Sequence, residues 1–175
     1  MLAEAANDVS RGQRVLVFDP LLFGENIPGT GDDPSSLAQM LNTVGARPLG
    51  LAAAQVAAIA HWLQADSVDG SSTPGARSVN PNRALAPLRV VTNGPRGETV
   101  AIVSAAIVPE LYSSLEARHA VASLGDLFTH PPGYHEAPEL MCLDLYLDFD
   151  INTLSLIATP VNIDLSGKDP EPIFW

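Results

Sequence analysis

The sequence predicts an α/β protein: a mostly parallel sheet of about four strands with helices on both faces. Three observations predict it. Short apolar runs such as Arg14–Phe18 (RVLVF) recur along the 175-residue chain. Helix-period stretches lie between them, the best being LAAAQVAAIAHWLQAD. Leu88–Val108, LRVVTNGPRGETVAIVSAAIV, reads as an apolar strand, a tight turn and an apolar helix, and forms the architectural centre. Strands alternating with helical segments imply a parallel sheet. The expectation is one domain over residues 1–175, with residues 66–86 as a flexible loop or insertion.

Taken in order, residues 1–12 are small and polar, and predict a loose lead-in. Arg14–Phe18 predicts a buried strand that stops at Asp19-Pro20, because proline cannot continue the ladder. The Gly/Pro/Asp-rich loop LLFGENIPGTGDDPSS follows, long enough to overhang a site. Ser35 or Ser36 is placed to cap a short helix through Leu41, ending near Gly45. In the next helix Ala52, Val56, Ile59 and Leu63 fall on one face. His61 lies near that face and is expected to be a partly buried packing histidine, since no metal-ligand partner lies three or four residues away.

After the Ser/Gly/Pro/Asn-rich stretch, Leu88–Val91 predicts a strand. The helix beyond it carries Glu98 in its first turn, favourable against the helix dipole. That helix is apolar nearly all round, so it should be buried, and Pro109 ends it. Ser114–Val121 (SLEARHAV) predicts a third strand. THPPGYHEAP is a proline-rich loop, and Pro138 suits the first turn of a helix through about Tyr146. Asp150 is placed to cap a helix over INTLSLIA, Thr159-Pro160 breaks it, and VNIDL predicts a fourth strand. No internal repeat is present.

Composition bounds the function. Hydrophobic residues make up 46% of the chain, enough for a real core. Net charge is −11, from twenty acids against nine basic residues, and no basic stripe is present. Nucleic acid and anionic membranes are therefore poor partners, and the acidity reads as solubility. No apolar run reaches membrane-spanning length, and the start MLAEAANDVSRGQR lacks the pattern of a signal peptide. The default expectation is a cytoplasmic protein, or a secreted or periplasmic one if a segment lies upstream. Cys142 is the only cysteine, so no intrachain disulfide or cysteine-based zinc site is expected. GPRGE lacks the lysine of a phosphate-binding loop, and GENIPGTG opens no helix, so no nucleotide cofactor is implied. Asp144, Asp148 and Asp150 read as a solvated acidic face, with a calcium site as the sharper alternative.

RVLVFDP, the RPLGLAAAQVAAIAHWL helix, VVTNGPRGETVAIVSAAI and APELMCLDLYLDFDI, in that order, carry a resemblance covering most of residues 13–169. The chain resembles the later half of an α/β-hydrolase, and more narrowly the bacterial acetyl-xylan-esterase-like branch. The resemblance implies a Gly-x-Ser-x-Gly elbow, in which a strained turn exposes a serine nucleophile. Laid on TNGPRGET, it puts Thr92 at the first glycine, Gly94 at the serine and Arg96 at the last glycine, with Pro95 between. Gly94 has no side chain and cannot attack. Ser104 lies inside the helix and reads as a packing residue. The triad acid maps near Asp169, which equally reads as a plain turn aspartate before proline. No histidine follows it; His119, His130 and His135 all precede it.

A Ser-His-Asp relay needs nucleophile, base and orienting carboxylate together. The first expectation is therefore a non-catalytic carboxyl-terminal module, partnered by the remainder of a larger esterase chain or by its own copies. The alternative is a carboxylic-ester hydrolase acting on acetylated carbohydrate or small acyl esters. Its site would be rearranged, with Asp169 or Asp19 as acid and His119 or His135 as base, and Gly94, Pro95 and Arg96 forming the elbow. A third expectation is a small-ligand or sugar-binding protein using the space above Gly94.

Overall fold

The computed structural model describes residues 2–27, 33–66 and 88–167. Three parallel strands form one sheet in the order β1 (Leu88–Asn93), β2 (Tyr112–Arg118), β3 (Asn162–Gly167). The helices are α1 (Leu2–Ser10), α2 (Pro34–Thr43), α3 (Pro48–Asp66), α4 (Pro95–Ile107), α5 (Asp126–Thr129), α6 (Leu143–Asp148) and α7 (Ile151–Ile157). Mixed helices around a parallel sheet are what the alternating apolar runs predict.

Strand alternation sorts the sheet into two faces. Leu88 and Val90, Leu115 and Ala117, and Ile163 and Leu165 enter one core with Ala101, Ile102 and Ala105 of α4 and Ile151 and Leu154 of α7. Val100 of α4 meets Leu49, Ala52 and Val56 of α3 in a second cluster. The central helix α4 thus packs against both the sheet and α3, which explains its apolar surface. The other face is polar. Arg89, Glu116 and Arg118 form an ion-pair network there that reaches Glu4 and Asp8 of α1. Among the described residues no second packed helical layer covers that face. The helices that connect the strands, α4 and α7, share the core on the apolar face, as consecutive parallel strands with crossovers of one hand would arrange them.

Four local expectations are corrected. Arg14–Phe18 is not a strand: Val15, Leu16, Val17 and Phe18 are each more than a third exposed and, among the described residues, pair with no strand. No backbone ladder reaches the segment, so its β propensity has nothing to act on. The loose lead-in is instead α1, whose alanines and first-turn Glu4 favour helix and which ends at Gly12 with φ 81°. Asp33, not Ser35 or Ser36, caps α2: its carboxylate accepts from Ser35 N at 2.8 Å, and Pro34 sits at the first helical position. His61 is exposed, because the buried stripe of α3 runs Ala52, Val56, Ala60, Gln64 and His61 lies around the helix from it.

Two terminations follow the sequence closely. Gly45 ends α2 with φ 81°. Asp150 caps α7, accepting from Ile151 N at 2.7 Å. The helix expected from Pro138 through Tyr146 is broken into a 3-10 turn, Pro138–Leu140, and α6. Among the described residues no single helix is long and apolar enough to cross a membrane.

Candidate functional site

The site is the turn between β1 and α4, at the carboxyl ends of parallel strands, where ligands of α/β sheets gather. Gly94 holds the apex with φ 86° and ψ 162°, a region essentially reserved for glycine. Its N–H donates to the Arg118 carbonyl at 2.7 Å, and its carbonyl accepts Glu98 N at 3.1 Å. The turn is therefore tied to the end of β2 and to the first turn of α4. A Cβ added at Gly94 would meet nothing within 4 Å. Space for a side chain exists, but the backbone conformation opposes one.

The next residue deepens the deficit. In a hydrolase elbow the residue after the nucleophile donates a backbone N–H to the oxyanion. Here that residue is Pro95, which has no N–H. Pro95 therefore cannot serve as an oxyanion donor, and the Gly94 N–H is already bonded to Arg118. The sequence carried this signal; proline's missing donor follows from its identity alone.

Arg96 points into the protein body. Its guanidinium makes a two-pronged ion pair with buried Glu139, donates to Leu22 O at 2.9 Å and lies 4.5 Å from the Phe23 ring centroid. It clamps the loop before α2 to the Pro138–Leu140 turn. Glu98 is also fully buried, and its Oε2 accepts Val121 N at 2.9 Å. A carboxylate in the first turn of α4 gains from the helix dipole as well as from this bond. The dipole placement of Glu98 was legible in the sequence, but the partners of both glutamates lie more than twenty residues away and were not.

His119 follows β2 with φ 57° and is exposed. The Gly94–Arg118 bond sets it beside the elbow. So Gly94, Pro95, Arg96 and His119 come together. His135 sits in a separate turn, 3.9 Å from Glu136 Oε1. It also lies near Asp33, whose carboxyl is held below the usual range chiefly by hydrogen bonds from Ser35, with a smaller contribution from His135. Asp19 organises its own loop: its carboxylate accepts Glu25 N at 3.3 Å and its carbonyl accepts Asn26 Nδ2. His130 lies 3.1 Å from Thr129 Oγ1. Asp169 lies outside the described residues. Ser104 is buried and hydrogen-bonded to the Tyr112 hydroxyl at 2.7 Å, a packing role.

Asp150 is the polar hub the sequence showed only in part. Besides capping α7 it accepts Leu124 N at 2.7 Å and Ser123 Oγ at 2.8 Å. Burial pushes its pKa up, but these bonds outweigh burial and hold the carboxyl below its ordinary value. Among the described residues no group of His, Cys, Asp or Glu is placed to hold a metal.

A cavity of about 670 Å³ lies beside the elbow and is lined by residues 13–20 and by β1. Val56, Ile59 and Leu63 of α3 and Val100 of α4 contribute apolar walls, and Glu4 and Asp8 of α1 also line it. Gly94 and His119 do not line it. Comparison with protein-family models, with curated proteins and with solved structures finds no match.

Proposed function

We propose that this chain is an α/β-hydrolase-like module, of the acetyl-xylan-esterase-like kind, that does not catalyse ester hydrolysis by itself. The observation that carries the reading is the Gly94-Pro95 pair. The apex has no side chain to attack an acyl carbon, and its successor has no N–H to stabilise the oxyanion. Loss of one oxyanion donor alone costs on the order of 10²–10³ in rate, and loss of the nucleophile removes the covalent step altogether. The elbow then serves as architecture: Gly94 ties β1 to β2, Glu98 ties α4 to the loop after β2, and Arg96 ties the turn to two further loops.

The finer architecture belongs to the same proposal. The second face of the sheet is covered by the remainder of a larger chain or by another copy. The test uses the purified 175-residue chain with p-nitrophenyl acetate. The expected result is no hydrolysis above the solvent rate. A burst followed by steady turnover would show an acyl-enzyme and overturn the reading.

A further inference from the structure

Helix α3 is free of charge on both sides, yet only one side is packed. The eighteen residues from Pro48 to Ala65 include no Asp, Glu, Lys or Arg, the longest such run in the chain. A surface helix normally turns charged residues to water, and a helix apolar all round is normally buried all round. Leu49, Ala52, Val56, Ala60 and Gln64 are buried. The opposite face is exposed and centred on Ala58. Four residues to either side of Ala58 stand Ala54 and Trp62, and seven to either side stand Leu51 and Ala65, all exposed. Trp62 keeps 49% of its surface in solvent and Leu51 keeps 39%. Gln55 and His61, three residues to either side, flank this stripe and are exposed as well.

The pattern of that face is its own complement. When a second copy is turned end for end about an axis at Ala58, each residue meets the one equally far on the other side. Ala58 meets its own copy, so the two backbones approach closely, at the short end of the interaxial range of about 8–10 Å. Ala54 lies opposite the second copy's Trp62, and Leu51 opposite the second copy's Ala65. At both ends a large side chain therefore meets a small one. The polar pair matches too: Gln55 lies opposite the second copy's His61. Gln55 Oε1 already accepts Leu21 N at 2.7 Å, which leaves Nε2 to donate to the facing imidazole. Reciprocity of this kind, residue i on j and j on i, is what a two-fold interface requires.

Charge and area favour the same partner. A basic partner would be drawn to the acidic surfaces of the chain and would gain nothing from a face without charge. Two identical acidic copies repel wherever their carboxylates face each other, and across α3 none do. At 1.5 Å per residue the nineteen residues of α3 span about 28 Å, and a helix about 10 Å wide then offers roughly 300 Å² of outline. Phe18, 38% exposed, borders the same surface hollow as Gln55 and Ala58 and extends the apolar area. An interface of this size belongs to the weak, reversible class, below about 1,200 Å² in total.

We propose that α3 is a homodimer interface, in which two copies pair their α3 helices antiparallel about a two-fold axis at Ala58. The face is separate from the elbow, so esterase activity would refute the non-catalytic reading and leave this one standing. The test is sedimentation equilibrium of the whole chain up to about 500 μM. Expected is a reversible monomer–dimer equilibrium with Kd between about 10 and 500 μM. Ala58→Glu and Ala58→Lys each set like charges against each other at the axis, and each should weaken pairing at least about tenfold. Ala58 is exposed, so both variants should keep the wild-type thermal melt. An equimolar mixture of the two should pair at least as tightly as wild type, because opposite charges then meet at the axis. Leu156→Glu, on an exposed residue of α7, should change Kd less than about twofold. A chain that stays monomeric at about 500 μM overturns the proposal. So does a dimer that Ala58→Glu leaves intact, or one that Leu156→Glu weakens as much, since the interface then lies elsewhere. Failure of the mixed variants to pair overturns the two-fold register, and association continuing beyond the dimer overturns its closure.

Discussion

Replacing Gly94 by serine restores the residue type that a hydrolase elbow calls for, and it should still fail. The structure separates the two reasons. A Cβ at this position meets no atom within 4 Å, so steric overlap contributes nothing. The whole stability cost comes from forcing φ 86° and ψ 162° on an L-residue, about 1–3 kcal/mol. For a domain of this size that lowers Tm by roughly 2–12 °C. Gly94→Ala should show the same shift, because the penalty is the backbone's. Activity should not appear: Pro95 has no N–H, and the Gly94 N–H is committed to Arg118. Thermal melts of wild type, Gly94→Ala and Gly94→Ser, with p-nitrophenyl acetate assays on each, check the reasoning. A serine variant as stable as wild type that shows burst kinetics would refute it on both counts.

Two further outcomes follow from the hydrogen-bonded carboxylates Glu139 and Asp150. Glu139→Gln leaves the Arg96 guanidinium without its counter-charge in a mostly buried setting, and should cost about 3 kcal/mol in urea unfolding; a loss below about 0.5 kcal/mol would mean the pair behaves as a surface one. Asp150→Ala removes a helix cap and two loop hydrogen bonds, and should cost about 2 kcal/mol. Because the native Asp150 carboxyl is depressed, its contribution is fully present above the ordinary carboxylate pKa and is lost as pH falls through the native value. The gap between wild type and variant should therefore be constant near neutrality and shrink below about pH 4. A gap that widens in acid would contradict the direction.

The legible part of the molecule was what local chemistry decides. Leu88–Ile107 folds as the strand, turn and helix its pattern predicts, with the turn at Gly94. Asp150 caps α7 and Gly45 closes α2, because a cap needs only its neighbours in sequence. What stayed hidden depends on distant partners. Arg14–Phe18 has the composition of a buried strand, and whether such a run forms one depends on a neighbour the pattern does not reveal. Ile59 and Leu63 continue the apolar face of α3, yet they line an open cavity while Ala60 and Gln64 take the buried positions. The bonds of Glu98 to Val121 and of Glu139 to Arg96 join residues more than twenty apart, which no local pattern shows. At the site, the position of His119 at the end of its strand was legible, and the parallel pairing of β1 with β2, closed by the bond from Gly94 to Arg118, sets it beside the elbow.

The attachment of α1 has a consequence for solution behaviour. Among the described residues the side-chain bonds tying that helix to the sheet are between charged groups: Glu4 with Arg89 and Arg118, and Asp8 with Arg89. Hydrophobic burial does not respond to ionic strength in this way, but partly exposed ion pairs weaken as the screening length falls from about 10 Å in 0.1 M salt to about 3 Å in 1 M. Salt thus addresses one element of the protein and spares the core. Since α1 also lines the cavity along β1, the electrolyte around the molecule becomes a control on how widely that cavity opens.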